Sequence, residues 1–379
     1  MNDKVRGQHA PAAPAAPAAD KRNYGVDLLR IVAMFYVIVL HVLGRGGALS
    51  ASESGSSQYA VSWLLETWAY CAVDCFALIS GFAAYSEKER PTRYANYIML
   101  WLQVVYYGLF VTAAAYFLRN DWVVRSDLLR SFLPVTRGDY WYFTAYTGLF
   151  VCIPLLNKVV RHLDQRYLMK TVIVFVLVFS CFETLNERFE LEGGYSFAWL
   201  ALLYLFGAIM KKCRLDRRIR SGHALLGIVA LVAVSWLWLL VGNATSLPLC
   251  GSEPKLLISY TSPTVLGIAV LHVVLFSRLR PGSAVCRVIG YFAPCAFAGY
   301  ILNCQWTVWE HVMKDRFTYL AQMPPWLIPL HVVGFAAGFL LIAMLIDRVR
   351  QRLFALLHLR TAAEWVERLA RRALSAIVK

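Results

Sequence analysis

The chain has 379 residues, of which 59% are hydrophobic and only 16% are charged, whereas charged residues make up about 25% of a soluble globular domain. One soluble core cannot bury so much apolar side chain. The composition therefore excludes an ordinary soluble protein and indicates a chain built from membrane-spanning helices. A net charge of +15 would suggest a nucleic-acid-binding protein if the chain were soluble. In a membrane protein, the positions of those charges report topology instead.

Residues 1–23 form a low-complexity tail in which Pro11, Pro14 and Pro17 interrupt a run of alanines. Such a segment cannot bury enough apolar surface to fold, so we predict a disordered cytoplasmic tail. Its apolar stretch is broken by proline and leads into no cleavage site, which argues against a signal peptide.

About ten apolar segments follow between residues 24 and 346, and each is predicted to form one transmembrane helix. Together they predict an all-α integral membrane domain over residues 24–346. The fifth segment is short and could be extended at either end. The predicted spans are Tyr24–Leu43, Tyr59–Tyr85, Tyr94–Leu118, Trp141–Asn157, Thr171–Phe182, Tyr195–Met210, His223–Val241, Ile258–Ser277, Val285–Val312 and Trp326–Ile346.

Lysine and arginine are distributed unevenly between the two sides of this arrangement. If the N-terminus is cytoplasmic, the segments on that side hold 28 of these residues and the opposite loops hold nine. The positive-inside rule therefore predicts that both termini are cytoplasmic. The same distribution explains the net charge without a nucleic-acid partner.

Residues 347–379 combine several arginines with leucines, a pattern typical of a basic amphipathic helix on the inner leaflet. The nine cysteines show no CxxC spacing and no pairing pattern of a disulfide framework. Most of them lie in apolar runs, where cysteine acts as a small hydrophobic residue. We therefore expect no metal site from the sequence.

The first predicted helix carries three ionisable residues, Asp27, Arg30 and His41, and each is costly inside a bilayer. Arg30 and His41 are 11 positions apart, so both lie on one helix face, roughly 16 Å apart along the axis. Asp27 can pair with Arg30. Arg30 could instead be a snorkelling anchor and His41 an ordinary polar residue at a helix end. Their shared face favours a functional pair.

The second predicted span contains Asp74 well inside the bilayer, followed by the pair Ser80-Gly81. Asp74 could support a catalytic group or make a structural hydrogen bond to a neighbouring helix. Ser80-Gly81 is a small-residue patch that could admit a narrow ligand or the backbone of another helix. Arg90 and Arg93 follow on the cytoplasmic side. Their guanidinium groups could hold phosphates, or they could be simple positive-inside charge.

Three later residues are candidates for binding a substrate near the outer surface. Trp141 opens the fourth span in an aromatic run, which could equally be an interfacial belt. Tyr300 lies in the ninth span, and Glu310 is near the outer end of that span, where it could simply face a loop.

Taken in order, these residues resemble the membrane-bound acyltransferase-three family. The first helix of that family has Arg or Lys, ten residues and then His, which Arg30 and His41 match. Its second helix ends in a Phe-x-x-x-Ser-Gly-Phe run, which Phe76 to Phe82 match. The resemblance covers about residues 23–346.

The resemblance continues with an Arg-x-x-Arg element, matched by Arg90 and Arg93, and an aromatic element led by Trp141. It departs late in the chain, where the family often has Tyr-Leu-Ile-His and this sequence has Tyr300 to Asn303. An asparagine cannot exchange a proton as an acid or base, so we do not expect this late position to supply the catalyst.

The resemblance implies a membrane-bound O-acyltransferase of the bacterial inner membrane. The enzyme would move an acyl group, acetyl in most relatives, from cytoplasmic acyl-CoA to a hydroxyl of an extracytoplasmic carbohydrate or lipid-linked glycan. Its partners would be acyl-CoA, the carbohydrate or glycolipid acceptor and membrane lipids, with no metal cofactor and no nucleic acid. No oligomeric state is indicated.

Within that function, His41 is the predicted general base, supported by Arg30 and Asp74, because an imidazole has an ordinary pKa of about 6.5. An acyl-histidine intermediate is the alternative. Acyl-CoA would contact Arg90, Arg93, Ser80 and Gly81. Trp141, Tyr300 and Glu310 would contact the acceptor.

Two rival histidines and two other classes of protein remain open. His311 and His331 lie near the outer surface and could replace His41 as the base. The chain could also be a transporter or a flippase of a lipid-linked sugar, which also buries charge, or a non-catalytic membrane scaffold or sensor.

Overall fold

The computed structural model describes residues 22–89, 91–245 and 255–377, and within those ranges it contains helices and no strand. The predicted all-α class is confirmed. Within the described ranges, eight helical segments are long and apolar enough to cross a membrane, in agreement with an integral membrane protein. They are Tyr24–Ala51, Ser57–Ala84, Tyr94–Leu118, Trp141–His162, Gln165–Asn186, Ser221–Asn243, Ser283–Cys304 and Pro325–Leu356.

The other two predicted spans form shorter helices. Phe197–Lys212 has 16 residues and Pro263–Ser277 has 15, below the roughly 20 residues that cross a bilayer without help. Each of the ten predicted segments therefore contains a helix. The fifth, which the sequence left short, extends at both ends to Gln165–Asn186. Ten crossings stay a prediction.

Thirteen of the helices in the described ranges are numbered, and the short connecting helices are not. They are α1 (Tyr24–Leu43), α2 (Ser57–Ala69), α3 (Ala72–Ala84), α4 (Tyr94–Leu118), α5 (Trp141–His162), α6 (Gln165–Val176), α7 (Phe197–Lys212), α8 (Ser221–Thr245), α9 (Pro263–Ser277), α10 (Ser283–Phe292), α11 (Phe297–Cys304), α12 (Ile328–Leu356) and α13 (Leu359–Ile377). Unnumbered connecting helices are Ala48–Ala51, Arg125–Phe132, Pro134–Arg137, Glu183–Asn186 and Trp306–Val308. Shorter 3-10 turns are Asn120–Trp122, Glu192–Gly194, Leu215–Arg217, Ala293–Cys295, Thr318–Gln322 and Pro325–Leu327, and π turns are Leu177–Phe182 and Trp309–Met313.

Two spans that the sequence predicted to be continuous are broken. α2 and α3 separate at Tyr70 and Cys71, one turn after Thr67 donates a side-chain hydrogen bond to the carbonyl of Trp63, a contact that bends helices. α10 and α11 separate around Pro294, which has no amide hydrogen for the helix. Broken backbone at membrane depth is tolerated where it is buried in protein or lines a cavity.

α1 contacts α2, α3, α9, α11 and α12, and none of its residues from Tyr24 to Leu43 is exposed. α3 and α7 approach especially closely. A Cβ on Gly81 would lie 1.8 Å from the carbonyl oxygen of Tyr204, and one on Gly207 would lie 2.0 Å from that of Leu78. Only glycine fits these two backbone contacts.

The C-terminal segment begins inside a helix rather than at a helix end. α12 continues to Leu356, past the predicted border at residue 346, and it buries Asp347 and Arg350. α13 then packs beside α4, where Glu367 accepts a hydrogen bond from the amide of Ala95 at 2.9 Å. The predicted disordered tail lies outside the described residues, apart from its last two positions.

The predicted orientation can be tested by labelling single introduced cysteines. We expect Arg166→Cys, in a predicted cytoplasmic loop, to be protected from an impermeant maleimide in intact cells, and Arg188→Cys, in a predicted outer loop, to react. Both native side chains are exposed. The native Cys213 is a poor reporter because it is only 4% exposed and burial raises the pKa of its thiol. Labelling at Arg166→Cys with protection at Arg188→Cys would show that the orientation is the reverse of the predicted one.

Candidate functional site

A cavity of about 670 Å³, here called the central cavity, lies between α1, the break between α2 and α3, the start of α5 and α11. Its wall is largely aromatic, with a few polar groups, as in many small-molecule sites. His41 is the only histidine among the described residues that line it. The aromatic lining residues are Tyr70, Phe76, Trp141, Tyr142, Tyr195, Tyr260, Tyr300, Trp306 and Trp309.

His41 is held by side chains from the far end of the chain. Its Nδ1 makes a short hydrogen bond with Oδ1 of Asn303, which is fully buried. The rings of His41 and Trp309 pack edge to face, with their centroids 4.8 Å apart. The thiol of Cys304 lies 4.0 Å from the same Nδ1. The ring is therefore fixed on both sides.

Asn303 also determines which nitrogen of His41 is free. Its amide nitrogen donates to the sulfur of Met313 at 3.6 Å, so its oxygen is the atom turned towards His41. An amide oxygen can only accept, which places the imidazole hydrogen on Nδ1 and leaves Nε2 with a free lone pair. A histidine in this tautomer can accept a proton from a substrate.

Arg30 lies on the same face of α1 as His41 but towards the other end of the helix. It forms an ion pair with Asp27, whose second oxygen accepts from Arg22 at 2.5 Å. Met34 and Val37, between Arg30 and His41, line the central cavity. Arg30 therefore lies just outside the cavity, on the same face of α1 as the residues that line it.

Asp74 is fully buried on α3, and one of its oxygens accepts a hydrogen bond from the indole of Trp199 at 3.1 Å. The other oxygen has no hydrogen-bond partner among the described residues. His41 is instead paired with Asn303. The structural alternative weighed for Asp74, a hydrogen bond to a neighbouring helix, is the arrangement observed.

Ser80 and Gly81 are both accounted for by helix contacts. The hydroxyl of Ser80 donates to the carbonyl of Phe76 at 2.9 Å within α3. Gly81 packs directly on the backbone of α7 at Tyr204, which leaves no space for a ligand against its Cα. Ser80 is only partly buried and follows Phe76 on the side of α3 that continues from the central cavity.

The Arg-x-x-Arg element meets the C-terminal helix. Arg90 lies outside the described residues. Arg93 is exposed immediately before α4, and the carbonyl of Thr92 accepts a hydrogen bond from Arg371 of α13. Arg93 is not among the described residues that line the central cavity.

Of the three predicted substrate-binding residues, Trp141 and Tyr300 line the central cavity. The hydroxyl of Tyr300 accepts from the amide of Tyr142 at 3.2 Å. Glu310 forms an ion pair with Arg45 at 2.5 Å, and Arg45 itself lines the cavity. Glu310 therefore acts on the cavity through Arg45.

The structure adds one lining residue that the sequence reasoning missed. Glu66 on α2 is only 7% exposed, and its Oε2 has no hydrogen-bond partner among the described residues. It lies within the predicted second span, so the rule that selected Asp74 also applies to it. A buried carboxylate at the edge of a cavity is available to accept hydrogen bonds from a ligand.

A second cavity of about 510 Å³, here called the basic cavity, lies where the predicted cytoplasmic ends of α1, α3, α7 and α9 meet. Four cations and one carboxylate line it, which makes it suitable for a polyanion. The lining residues are Asn23, Phe82, Lys211, Asp216, Arg217, Ser277, Arg278 and Arg280.

One face of α1 connects the two cavities. Asn23, which caps α1, lines the basic cavity, and Met34 and His41 line the central one, with Arg30 between them. Their spacings of seven, four and seven residues keep all four on one side of the helix.

Comparison with known proteins gives one match. A family model described as an acyltransferase domain matches residues 23–348, most of the chain. No curated protein and no solved structure matches this chain.

Proposed function

The chain belongs to the acyltransferase-three family of membrane proteins, and on this premise we propose that it acylates a hydroxyl group of an extracytoplasmic carbohydrate or lipid-linked glycan. The donor is acyl-CoA from the cytoplasm, with acetyl as the transferred group, and the membrane is the bacterial inner membrane. The observation that carries the proposal is His41, held by Asn303 in the tautomer of a base and placed in the wall of the central cavity.

In the proposed reaction, Nε2 of His41 removes the proton of the acceptor hydroxyl while its oxygen attacks the thioester carbonyl. The new carbon–oxygen bond forms, the carbon–sulfur bond breaks, and the proton on the imidazole passes to the departing sulfur of CoA. Asn303 accepts from Nδ1 throughout and stabilises the transient imidazolium. Alternatively, Nε2 of His41 attacks the thioester itself and expels CoA as its thiolate. The acceptor oxygen then takes the acyl group from the histidine, and the proton of the acceptor hydroxyl passes to the CoA thiolate.

The acceptor side of the proposal is supported by the aromatic wall. The rings of Trp141, Tyr195 and Tyr260 lie within 4.6 to 6.2 Å of one another and offer flat apolar faces with polar edges. Glu66 adds a carboxylate acceptor beside them. Flat apolar faces together with hydrogen-bond acceptors suit a sugar ring, whose two faces are apolar and whose hydroxyls point outwards.

The donor side is supported by the basic cavity and by the face of α1 that leads from it. Phosphates held near Lys211, Arg217 and Arg278 would lie on the predicted cytoplasmic side. The thioester arm would then follow α1 past Arg30 to His41. The rise of an α-helix places His41 roughly 16 Å beyond Arg30 along the axis of α1.

Acyl transfer across the membrane tests the proposed function. Inverted membrane vesicles that contain the protein are given acyl-CoA labelled in the acyl group, and glycans of the vesicle lumen are analysed by mass spectrometry. We expect label on a glycan hydroxyl only when the protein is present. A transporter or flippase would instead move a solute without any acyl donor, and that result with no label transferred would refute the proposal.

The donor route gives a second prediction. Replacing both Arg217 and Arg278 by alanine removes two charge-assisted contacts, and we expect the KM for acyl-CoA to rise about tenfold or more with the acceptor KM unchanged. Arg188→Ala, on the predicted outer side, is the control. Arg93→Ala is measured beside it, because the phosphate role of the Arg-x-x-Arg element stays a prediction, and Lys at Arg93 should rescue poorly. A wild-type KM in the double variant would exclude the basic cavity from donor binding.

Asn303 gives a third prediction. Asn303→Ala frees the imidazole of His41 to rotate and change tautomer, so we expect kcat to fall about 100-fold with the KM for acyl-CoA unchanged. Asn303→Asp keeps an oxygen acceptor for Nδ1 and should retain more activity than Asn303→Ala. Equal activity in the two variants would show that the contact does not position His41.

A further inference from the structure

Three soft metal-ligand side chains converge beside the central cavity and take no part in the proposed reaction. Cys71 and Cys75 lie at the start of α3, and His272 lies on α9. The two cysteines are fully buried and His272 is 3% exposed. Their donor atoms all lie within 4.8 Å of one another, although His272 is about 200 positions away in the sequence.

Two of the three separations are close to those around a single bound ion, and the third lies within 4.8 Å. The two sulfurs are 3.9 Å apart, and Sγ of Cys71 is 4.0 Å from Nδ1 of His272. Zinc binds thiolate sulfur at about 2.3 Å and imidazole nitrogen at about 2.0 Å, so donors that share one ion lie roughly 3.5 to 4 Å apart. Small rotations of the side chains bring all three within reach of one centre.

The imidazole of His272 also has the hydrogen-bond partner that metal-binding histidines usually have. A histidine that binds a metal usually donates its other ring hydrogen to an oxygen, which fixes the ring. Nε2 of His272 lies 3.4 Å from the hydroxyl of Tyr36, which is itself held by the indole of Trp68 at 3.0 Å. Nδ1 now contacts the carbonyl of Ile268 at 2.9 Å, a contact that metal binding would replace.

The charge of the group can be balanced with either of two ions. Two thiolates and a neutral imidazole around Zn²⁺ have no net charge, and one thiolate, one thiol and a neutral imidazole around Cu⁺ have none either, so the group can be buried without an unpaired charge. Thiolate and imidazole donors favour Zn²⁺ and Cu⁺ over harder cations. We propose that Cys71, Cys75 and His272 bind one thiophilic metal ion, Zn²⁺ or Cu⁺, that joins α3 to α9 at the break between α2 and α3. This site does not depend on the proposed acyl transfer.

Metal analysis of the purified full-length protein tests the site. The protein in detergent is stripped with a chelator and titrated with Zn²⁺, with Cu⁺ under reducing conditions, and with Co²⁺ as a spectroscopic probe. We expect one ion per chain and, with Co²⁺, the intense charge-transfer absorption of thiolate ligation. The bound metal should also raise the thermal unfolding midpoint, because it binds only the folded state.

Matched variants separate this site from adventitious binding. Cys71→Ser, Cys75→Ser and His272→Ala should each lose the stoichiometric ion and the charge-transfer band. Cys152→Ser and Cys181→Ser, partly buried cysteines elsewhere, should keep both. The proposal is overturned if the wild-type protein binds no more metal than the Cys71→Ser/Cys75→Ser double variant, or if the ion persists in a folded double variant. Folding of each variant is checked by its elution as a single species and by its helical circular dichroism.

Discussion

Replacing His41 by alanine is expected to lower the rate of acyl transfer by about 100- to 10,000-fold, the range that loss of a positioned general base removes. His41 is the histidine that lines the central cavity, and its Nδ1 is committed to Asn303, so Nε2 is the atom able to accept a proton. The initial rate of label transfer from acyl-CoA to the glycan acceptor in vesicles, at equal amounts of inserted protein, measures the effect.

The rival histidines are the natural controls. His311 stacks on Trp122 with ring centroids 4.8 Å apart, and the rings of His331 and Tyr319 pack edge to face. Both imidazoles are therefore held by protein side chains without a substrate. His331→Ala and His311→Ala should retain most activity. If His41→Ala keeps more than about a tenth of the wild-type rate, His41 is not the base. Acyl label trapped on wild-type protein in the absence of acceptor would favour the acyl-histidine route.

The helical spacing was sufficient to place Arg30 and His41 on one face of the first helix. Arg30 and His41 were predicted to share one side of the first helix, and the observed helix over Tyr24–Leu43 has the predicted boundaries. This prediction needs only the 3.6-residue period and the cost of charge in a bilayer, both of which are local properties of the sequence. The same local reasoning selected Trp141 and Tyr300, which line the central cavity.

The partners of these residues could not be read from the sequence. Asn303 was set aside because an amide exchanges no proton, yet it is the residue that contacts His41 across 262 positions of chain. Asp74 was considered as support for His41, but Asp74 accepts a hydrogen bond from Trp199. Long-range pairing depends on how the helices pack, and a single sequence holds no record of that packing.

The donor atoms of the proposed metal site were missed for a related reason. A search for metal ligands by sequence spacing finds sites within one short segment, such as CxxC. Here the break between α2 and α3 brings Cys71 and Cys75 to a histidine on another helix. Hydropathy treats the second span as continuous, so the break itself was not predictable from composition.

The predicted basic helix on the inner leaflet begins at residue 347, and the structure has the first residues of that segment in the continuation of α12. Asp347 is fully buried there and Arg350 is 6% exposed. The carboxylate accepts from Arg350 at 2.7 and 3.0 Å. Gln103 and Tyr107 of α4 donate to it as well, at 2.9 and 3.0 Å. Asp347 thus joins α12 to α4.

Asp347→Ala is therefore expected to destabilise the protein by about 3 to 5 kcal/mol, because it leaves the guanidinium of Arg350 buried without its carboxylate. The amide of Gln103 and the hydroxyl of Tyr107 also lose their acceptor, and each unpaired buried donor adds to the cost. Thermal unfolding in detergent, followed by circular dichroism and by retention of the monodisperse peak, measures the loss.

The exposed ion pair of Arg360 with Glu364 on α13 supplies a matched control, with its two side chains 44% and 47% exposed. Glu364→Ala should change stability by less than about 1 kcal/mol, because water screens that pair. Removing both partners, in Asp347→Ala/Arg350→Met, should recover part of the loss, because no buried charge is then left unpaired. If Asp347→Ala unfolds at the wild-type temperature, the buried cluster does not hold α12 against α4. If instead the double variant is less stable than Asp347→Ala, Arg350 stabilises the protein through contacts other than its carboxylate.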